Sequence, residues 1–215
     1  MIVSDILDIA TIDDNNKQAA KVYASGSYWR NRHDLLYYHY FHFMIRCIGA
    51  NAESLIDVGS GNAPYLDWFN WIPDRVSVDL EVPYSSKSVR GLKGNIHDLA
   101  FDQTFDICTC MQVLEHVPDA DAFARRLMEI GRLVLVSVPY KWAAGSNKHH
   151  VHDPVDLKKV VGWFGRDPNY HLIVREPFAT KSGARLFALY DVADPERKYG
   201  SDVRKARRAA KYPGN

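Results

Sequence analysis

The stretch Leu55 to Pro64, LIDVGSGNAP, constrains this chain more than any other. A short apolar run, Leu55, Ile56 and Val58, carries one acid at Asp57 and breaks into Gly59-Ser60-Gly61. That is the pattern of a buried parallel strand handing the backbone to a tight loop. Without a Cβ at Gly59 and Gly61 the loop can take dihedrals closed to other residues and lie against a flat or charged ligand. The next helix turns its free amides toward the same place. A lone glycine pair of this kind is unspecific, so its meaning depends on the segments downstream of Pro64.

After the loop, Tyr65 to Phe69 reads as a short helix, Pro73-Asp74 as a turn, and Arg75 to Leu80 as a second strand ending in Asp79-Leu80-Glu81. Asp79 lies 22 residues beyond Asp57. An acid at the tip of the second strand of a doubly wound sheet can accept from both hydroxyls of a ribose; the alternative is a carboxylate that caps a turn. A loop with Gly91 and Gly94 then leads to a strand at Phe105 to Cys110, a helix at Ala120 to Ile130 and an apolar strand at Arg132 to Val138. Pro154 to Trp163 reads as a helix with proline at its start. His171 to Phe178 and Ala184 to Asp191 are strands too close in sequence to pair other than as an antiparallel hairpin. Upstream, Lys17 to Arg30 and Asp34 to Cys47 read as helices, the second with Asp34 as N-cap. The Ser25-Gly26-Ser27 break is a plausible hinge for a cover carrying Tyr23, Tyr28 and Trp29. The alternation predicts an α/β fold, a mostly parallel sheet with helices on both faces. It divides into a helical cap over 1–50, a core over 51–195 and a basic tail over 196–215.

With 215 residues, 47% of them apolar, the chain can bury one substantial core. The net charge of +1 gives no push toward nucleic acid or membrane. From Arg197 to Lys211, however, seven basic residues face Asp202 alone, so that segment carries +6 and the rest −5. A solvated terminal helix is the plainer reading, and an anionic partner the other. Three cysteines in apolar surroundings, Cys47, Cys108 and Cys110, suggest a reducing compartment; Cys108 and Cys110 share one strand face and read as core. The first residues lack a basic targeting region and no apolar run is long enough to cross a bilayer, so a cytoplasmic protein is expected.

Four segments in order, DVGSGNAP (57–64), VSVDLE (76–81), GNIHDLAF (94–101) and FDICTCMQVLEHVPD (105–119), resemble the class I S-adenosylmethionine-dependent methyltransferases of the small-molecule type. The resemblance spans Ser54 to about Pro139. It implies a Rossmann-like, seven-stranded sheet with an antiparallel last strand, S-adenosylmethionine as cofactor and S-adenosylhomocysteine as product. By the same resemblance Asp57, Gly59 and Gly61, with Ser60 and Asn62 in the same loop, would hold the methionine part. Asp79, with Leu80 beside it, would take the ribose. Asn95 and the backbone at Ile96 would meet the adenine edge, and Met111 and Gln112 would line the site. Where the family commonly has Asp at the adenine position, this chain has Asn95, which offers an acceptor and a donor in place of two acceptors. YWRNR at 28–32 is similar to an element with which some members cover the cofactor; Tyr28 would form part of that cover, and Arg32 would pair with the cofactor carboxylate or else lie at the surface.

A sulfonium already carries an activated methyl group, so the protein must align a nucleophile, exclude water and, for a hydroxyl acceptor, remove its proton. Histidine suits that task. His116, just past the strand in the L-E-H segment, is one candidate base; its alternative is a histidine bonding a loop carbonyl. His149, His150, His152 and Asp153 put four ligand-capable side chains in five residues. A solvated loop, a base or substrate site at His150 and His152, and a divalent metal site all remain open there, and no metal ligand is assigned. There is no N-P-P-Y after the strand, and Tyr140, Trp142 and Trp163 flank the histidines. An oxygen acceptor on a small molecule or glycan is therefore preferred. The rival readings are an NAD-dependent oxidoreductase, opposed by Pro64 at the third glycine position and by the charge of Asp57, and a non-catalytic module of the same fold binding an anionic partner such as RNA.

Overall fold

The computed structural model describes residues 27–179 and 183–209. The proposed helix before Ser27, Tyr23 and the first two hinge residues lie outside them. Strand β1 (Ser54–Val58) is buried at all five positions. It pairs in parallel with β2 (Asp74–Asp79) on one side and β4 (Phe105–Met111) on the other. A central strand covered on both faces needs an unbroken apolar run, which is why its sequence does not alternate. With β3 (Arg90–Lys93), β5 (Gly131–Pro139), β6 (Tyr170–Arg175) and β7 (Ala184–Asp191), the sheet has seven strands in the order β3-β2-β1-β4-β5-β7-β6. All are parallel except β7, which runs antiparallel to both β5 and β6, as the short connection between the last two strands requires. The chain works outward from β1 to β3 and then returns to β4 on the other side of β1. The carboxyl ends of β1 and β4 therefore flank the crevice at which open α/β sheets bind ligands.

Two apolar layers cover the sheet. On one face α2 (Leu36–Ile48) and a 3-10 turn at Pro64–Phe69 bury Phe41, Ile45, Leu66 and Phe69 against Leu55, Leu135 and Phe187. On the other, α3 (Ala120–Ile130) and α4 (Leu157–Phe164) bury Ala124, Leu127 and Val160 against Ile56, Val134 and Tyr190. Phe164 stacks on Tyr190 with ring centres 4.1 Å apart. Cys108 and Cys110 are free and fully buried core residues, as their spacing implies. The short helix α1 (Ser27–Arg30) precedes α2, and α5 (Ser201–Ala209) closes the described chain. Among the described residues no helix is long and apolar enough to cross a membrane.

Several element limits differ from the sequence reading. Arg90–Lys93, read there as loop, is the edge strand β3; four residues with both ends exposed carry no apolar signal. Helix α4 starts at Leu157 and not at Pro154, because the Asp156 carboxylate accepts the Lys159 N–H and caps the helix there. Strand β6 stops at Arg175 and does not reach Phe178, which is exposed with φ +63°. Asp34 does not cap α2. The N-cap is Leu35, which has no side-chain acceptor, and the two carboxylate oxygens of Glu176, just past β6, accept the N–H groups of Leu36 (2.8 Å) and Tyr37 (2.9 Å). Glu176→Ala should therefore cost about 1 to 2 kcal/mol, read as a melting temperature lower by several degrees, whereas Asp34→Ala should leave it unchanged.

Candidate active site

The glycine loop leaves β1 at the crevice. Gly59 has φ +84° and Gly61 φ +54°, both in the left-handed region, and the intervening chain is pinned by the Gly59 N–H donating to the Val78 carbonyl at 2.8 Å. A Cβ on Gly59 would stand 2.3 Å from Cγ2 of Val113, so the loops after β1 and β4 touch at this glycine. Asn62 and Gln112 also hold positive φ, +60° and +59°, on opposite sides of the crevice. Non-glycine residues held there cost free energy and cluster at binding sites. Gln112 is fixed by its amide donating to Ser137 Oγ at 3.0 Å, and Met111 beside it is buried. Ser60 lies under the loop, its hydroxyl 2.6 Å from that of Ser77.

Asp57 is fully buried beneath the loop. Thr109 Oγ1 donates to Oδ1 at 2.6 Å and the Tyr65 hydroxyl to Oδ2 at 2.7 Å. Burial outweighs these two bonds and pushes its carboxyl up to about 6. Asp79, at the tip of β2, caps a turn with Oδ1, which accepts the Glu81 and Val82 amides, while Oδ2 accepts the Gly61 amide at 2.9 Å. It thereby ties the second strand to the glycine loop. Leu80 next to it is 51% exposed, an apolar surface at the rim of the crevice. Asn95 is exposed and Ile96 buried, in a turn where Asn95 Oδ1 accepts the His97 amide at 3.1 Å. Arg126 on α3 holds this turn from behind, donating to the carbonyls of Ile96 (3.1 Å) and Leu99 (2.6 Å). The sequence offers no signal for Arg126, since an arginine on an amphipathic helix looks like any solvated one.

Past β4 the chain makes a 3-10 turn at Leu114–His116, and the loop carrying the other histidines folds over it, with the Val151 amide donating to the Glu115 carbonyl at 2.9 Å. His116 Nδ1 lies 2.9 Å from the His149 carbonyl. A carbonyl only accepts, so Nδ1 carries the proton and Nε2 the lone pair. Burial, opposed by that bond, lowers the His116 pKa to about 4, so the ring is neutral at physiological pH. His150 has both nitrogens engaged, Nδ1 at 2.6 Å from Asp153 Oδ2 and Nε2 at 3.0 Å from the Asn147 amide nitrogen. His152 donates from Nε2 to the Val117 carbonyl at 2.7 Å and packs edge-on to Trp163, which holds the loop to the core. Glu115 is 1% exposed, and its carboxyl is pushed up to about 8 by burial. The L-E-H segment contains this glutamate, but residue type alone does not tell a buried acid from a solvated one.

The cover and the far wall complete the site. In the electrostatics of the Tyr28 hydroxyl, burial acts first, raising its pKa, and the charges of Arg32, Glu115 and Arg185 come after it. Helix α1 is thus brought to the crevice. Arg32 lies over the Tyr28 ring at 4.0 Å. Arg185 on β7 lies between the rings of Tyr37 (4.7 Å) and Trp142 (5.1 Å), and Trp142 stacks on His150 with centres 5.6 Å apart.

Residues 56–133 match the family model described as a methyltransferase domain. This segment runs from β1 through the glycine loop and Asp79 to the start of β5. The match covers about a third of the chain. The glycine loop and the carboxylate at the tip of β2 both fall inside the matched segment. Solved methyltransferase structures share this fold at low sequence identity. The 1,6-didemethyltoxoflavin-N1-methyltransferase of Burkholderia thailandensis, with 1,6-didemethyltoxoflavin and S-adenosylhomocysteine bound, has a TM-score of 0.65 at 17% identity, over 85% of this chain and 89% of that one. The N-methyltransferase NodS of Bradyrhizobium japonicum, with S-adenosylhomocysteine, has a TM-score of 0.62 at 11% identity, over 81% and 96%. The N-terminal domain of EvdMO1, crystallised in the presence of S-adenosylhomocysteine and D-fucose, has a TM-score of 0.51 at 11% identity, over 72% and 82%. No curated protein sequence matches this chain.

Proposed function

We propose that the chain is a class I S-adenosylmethionine-dependent methyltransferase and that it alkylates a hydroxyl oxygen of a small-molecule or glycan acceptor, with His116 taking the proton. S-adenosylmethionine supplies a methyl group whose bond to the sulfonium breaks with its electron pair going to sulfur as the bond to oxygen forms. Asp57, Ser60, Gly61 and Asn62 shape the loop that holds its methionine part, with Gly59 giving the backbone its close approach. Asp79 accepts from the ribose hydroxyls and Leu80 offers them an apolar neighbour. Asn95 and the Ile96 backbone meet the adenine edge, Met111 and Gln112 bound the site from β4, and Tyr28 and Arg32 cover it.

The observation that carries the base assignment is His116. Among the three candidate histidines it is the one whose Nε2 keeps its lone pair clear of a protein hydrogen bond, His150 Nε2 being met by Asn147 and His152 Nε2 by Val117. Its ring is neutral, and the Glu115 carboxyl lies 3.9 Å from Nε2, where once ionised it steadies the imidazolium. Trp142 and Arg185 give an acceptor ring an aromatic and cationic wall. The test is a panel of alcohols, phenols, sugars and amines incubated with the cofactor and scored by mass spectrometry. Oxygen methylation is expected, with His116→Ala lowering kcat by about 100-fold or more and S-adenosylhomocysteine affinity by less than about 3-fold. Turnover of amines alone would sink the oxygen assignment, and equal loss of kcat and cofactor affinity would make His116 structural.

A further inference from the structure

Methyl transfer with a single histidine base uses one oxygen of Glu115, the Oε1 that lies 3.9 Å from His116 Nε2, and leaves the other without a role. Glu115 is buried at 1% exposure, and its Oε2 has no hydrogen-bond partner among the described residues. A carboxylate oxygen withdrawn from water and given nothing in return is costly, and a fold retains it where something else meets it. One ligand atom each from Glu115, His116 and His150 lies within 4.8 Å of the other two.

The hydrogen bonds around the two imidazoles orient them toward a shared ligand. His116 donates from Nδ1 to the His149 carbonyl, and His150 places Nδ1 2.6 Å from the Asp153 carboxylate. An imidazole whose Nδ1–H is held by a carbonyl or carboxylate presents its Nε2 lone pair, the arrangement that metal-binding histidines show. The edge-to-face contact of the two rings, centres 4.7 Å apart, and the stacking of Trp142 on His150 fix their planes. Asn147 is the one obstacle. Its Oδ1 accepts the His149 amide at 3.0 Å, which turns its Nδ2 onto His150 Nε2, so this amide acts as a plug that must swing aside. Bonds of about 2.0 to 2.2 Å put donor atoms roughly 3.4 Å apart, so a pair within 4.8 Å must close by up to about 1.4 Å, or about 0.7 Å for each side chain if shared.

We propose that Glu115, His116 and His150 form a divalent transition-metal site whose open positions take hydroxyl oxygens of the acceptor. Two imidazoles and one carboxylate favour zinc, cobalt or manganese over calcium or magnesium, and three protein ligands leave positions free for a substrate. A hydroxyl bound there gives its proton to solvent and remains as a metal-held alkoxide; the two charges of the cation are balanced by that alkoxide and by Glu115. With the cation bound, His116 is a ligand and the cation replaces it in activating the hydroxyl; in the metal-free chain His116 takes the proton itself. The acceptor chemistry rests on the proposed hydroxyl methylation; the metal site itself does not.

The experiment uses the full chain without an affinity tag, stripped with a chelator and titrated with Co2+, followed by visible d–d absorption and calorimetry. One Co2+ per chain is expected. Glu115→Gln and His116→Ala should each weaken it at least about 10-fold, and Asp153→Asn, which frees the His150 ring, by about 10- to 100-fold. Asn147→Ala removes the plug and should tighten binding, an effect that a merely structural role would not produce. S-adenosylhomocysteine binding, measured on the same samples, reports folding and the cofactor site independently. Wild-type protein that binds S-adenosylhomocysteine but no Co2+, or Co2+ binding unchanged in both Glu115→Gln and His116→Ala, would overturn the site. Co2+ binding as described without S-adenosylhomocysteine binding would instead overturn the methyl-transfer assignment and leave the metal site standing.

Discussion

Gly59→Ala is expected to weaken S-adenosylhomocysteine binding by about 100-fold and to lower stability by about 2 to 5 kcal/mol. Two costs combine. A residue with a Cβ at φ +84° pays roughly 1 to 2 kcal/mol in the left-handed region. The new methyl would also stand 2.3 Å from Val113 Cγ2, forcing the loops after β1 and β4 apart at roughly 1 to 3 kcal/mol. The loop that lies closest to the cofactor is the one displaced, so affinity and stability fall together. Adding Val113→Ala removes the colliding methyls and should restore part of the stability, while the dihedral cost stays. Calorimetry with S-adenosylhomocysteine and thermal melts read both. A Gly59→Ala protein with wild-type affinity would mean that this loop does not hold the cofactor.

The second large effect belongs to Asp57. Asp57→Ala leaves the buried hydroxyls of Thr109 and Tyr65 without their acceptor and should cost about 3 to 5 kcal/mol. The acid also shapes the response to pH. Burial raises its pKa from 3.8 to about 6. Between those values the folded protein holds a proton that the unfolded chain has released. Its contribution to stability is therefore complete below about pH 3.8, declines as pH rises and is gone above about pH 6, a change of about 3 kcal/mol. Asp57→Asn cannot titrate. Urea unfolding of the two proteins from acid to neutral pH should show a wild-type-minus-variant difference that slopes downward through this window and is flat above it. A constant difference at all pH values would show that the carboxyl titrates normally.

Much of the architecture is legible in local pattern. The unbroken apolar run at Leu55–Val58, the glycines behind it and the acid at Asp79 identify a central parallel strand, its loop and the tip of its neighbour, because each depends on residues close in sequence. The hairpin of β6 and β7 comes in the same way from the shortness of its connection. Edge strand β3 leaves no such trace because its exposed residues carry no periodic signal, and the start of α2 is hidden because its cap, Glu176, lies 140 residues away.

The site divides along the same line. His116 and the cluster from His149 to Asp153 stand out by residue type, yet their roles separate only when the fold lays one loop over the other. That contact gives His116 its carbonyl partner and commits His152 to Val117, while Asn147 closes His150 Nε2 from within the same loop. The local sequence thus determined the sheet and its glycine loop. Which imidazole keeps a usable lone pair, and why a buried glutamate beside it has an oxygen with no partner among the described residues, were settled by packing between segments more than thirty residues apart. Such contacts depend on tertiary geometry that no window of sequence contains.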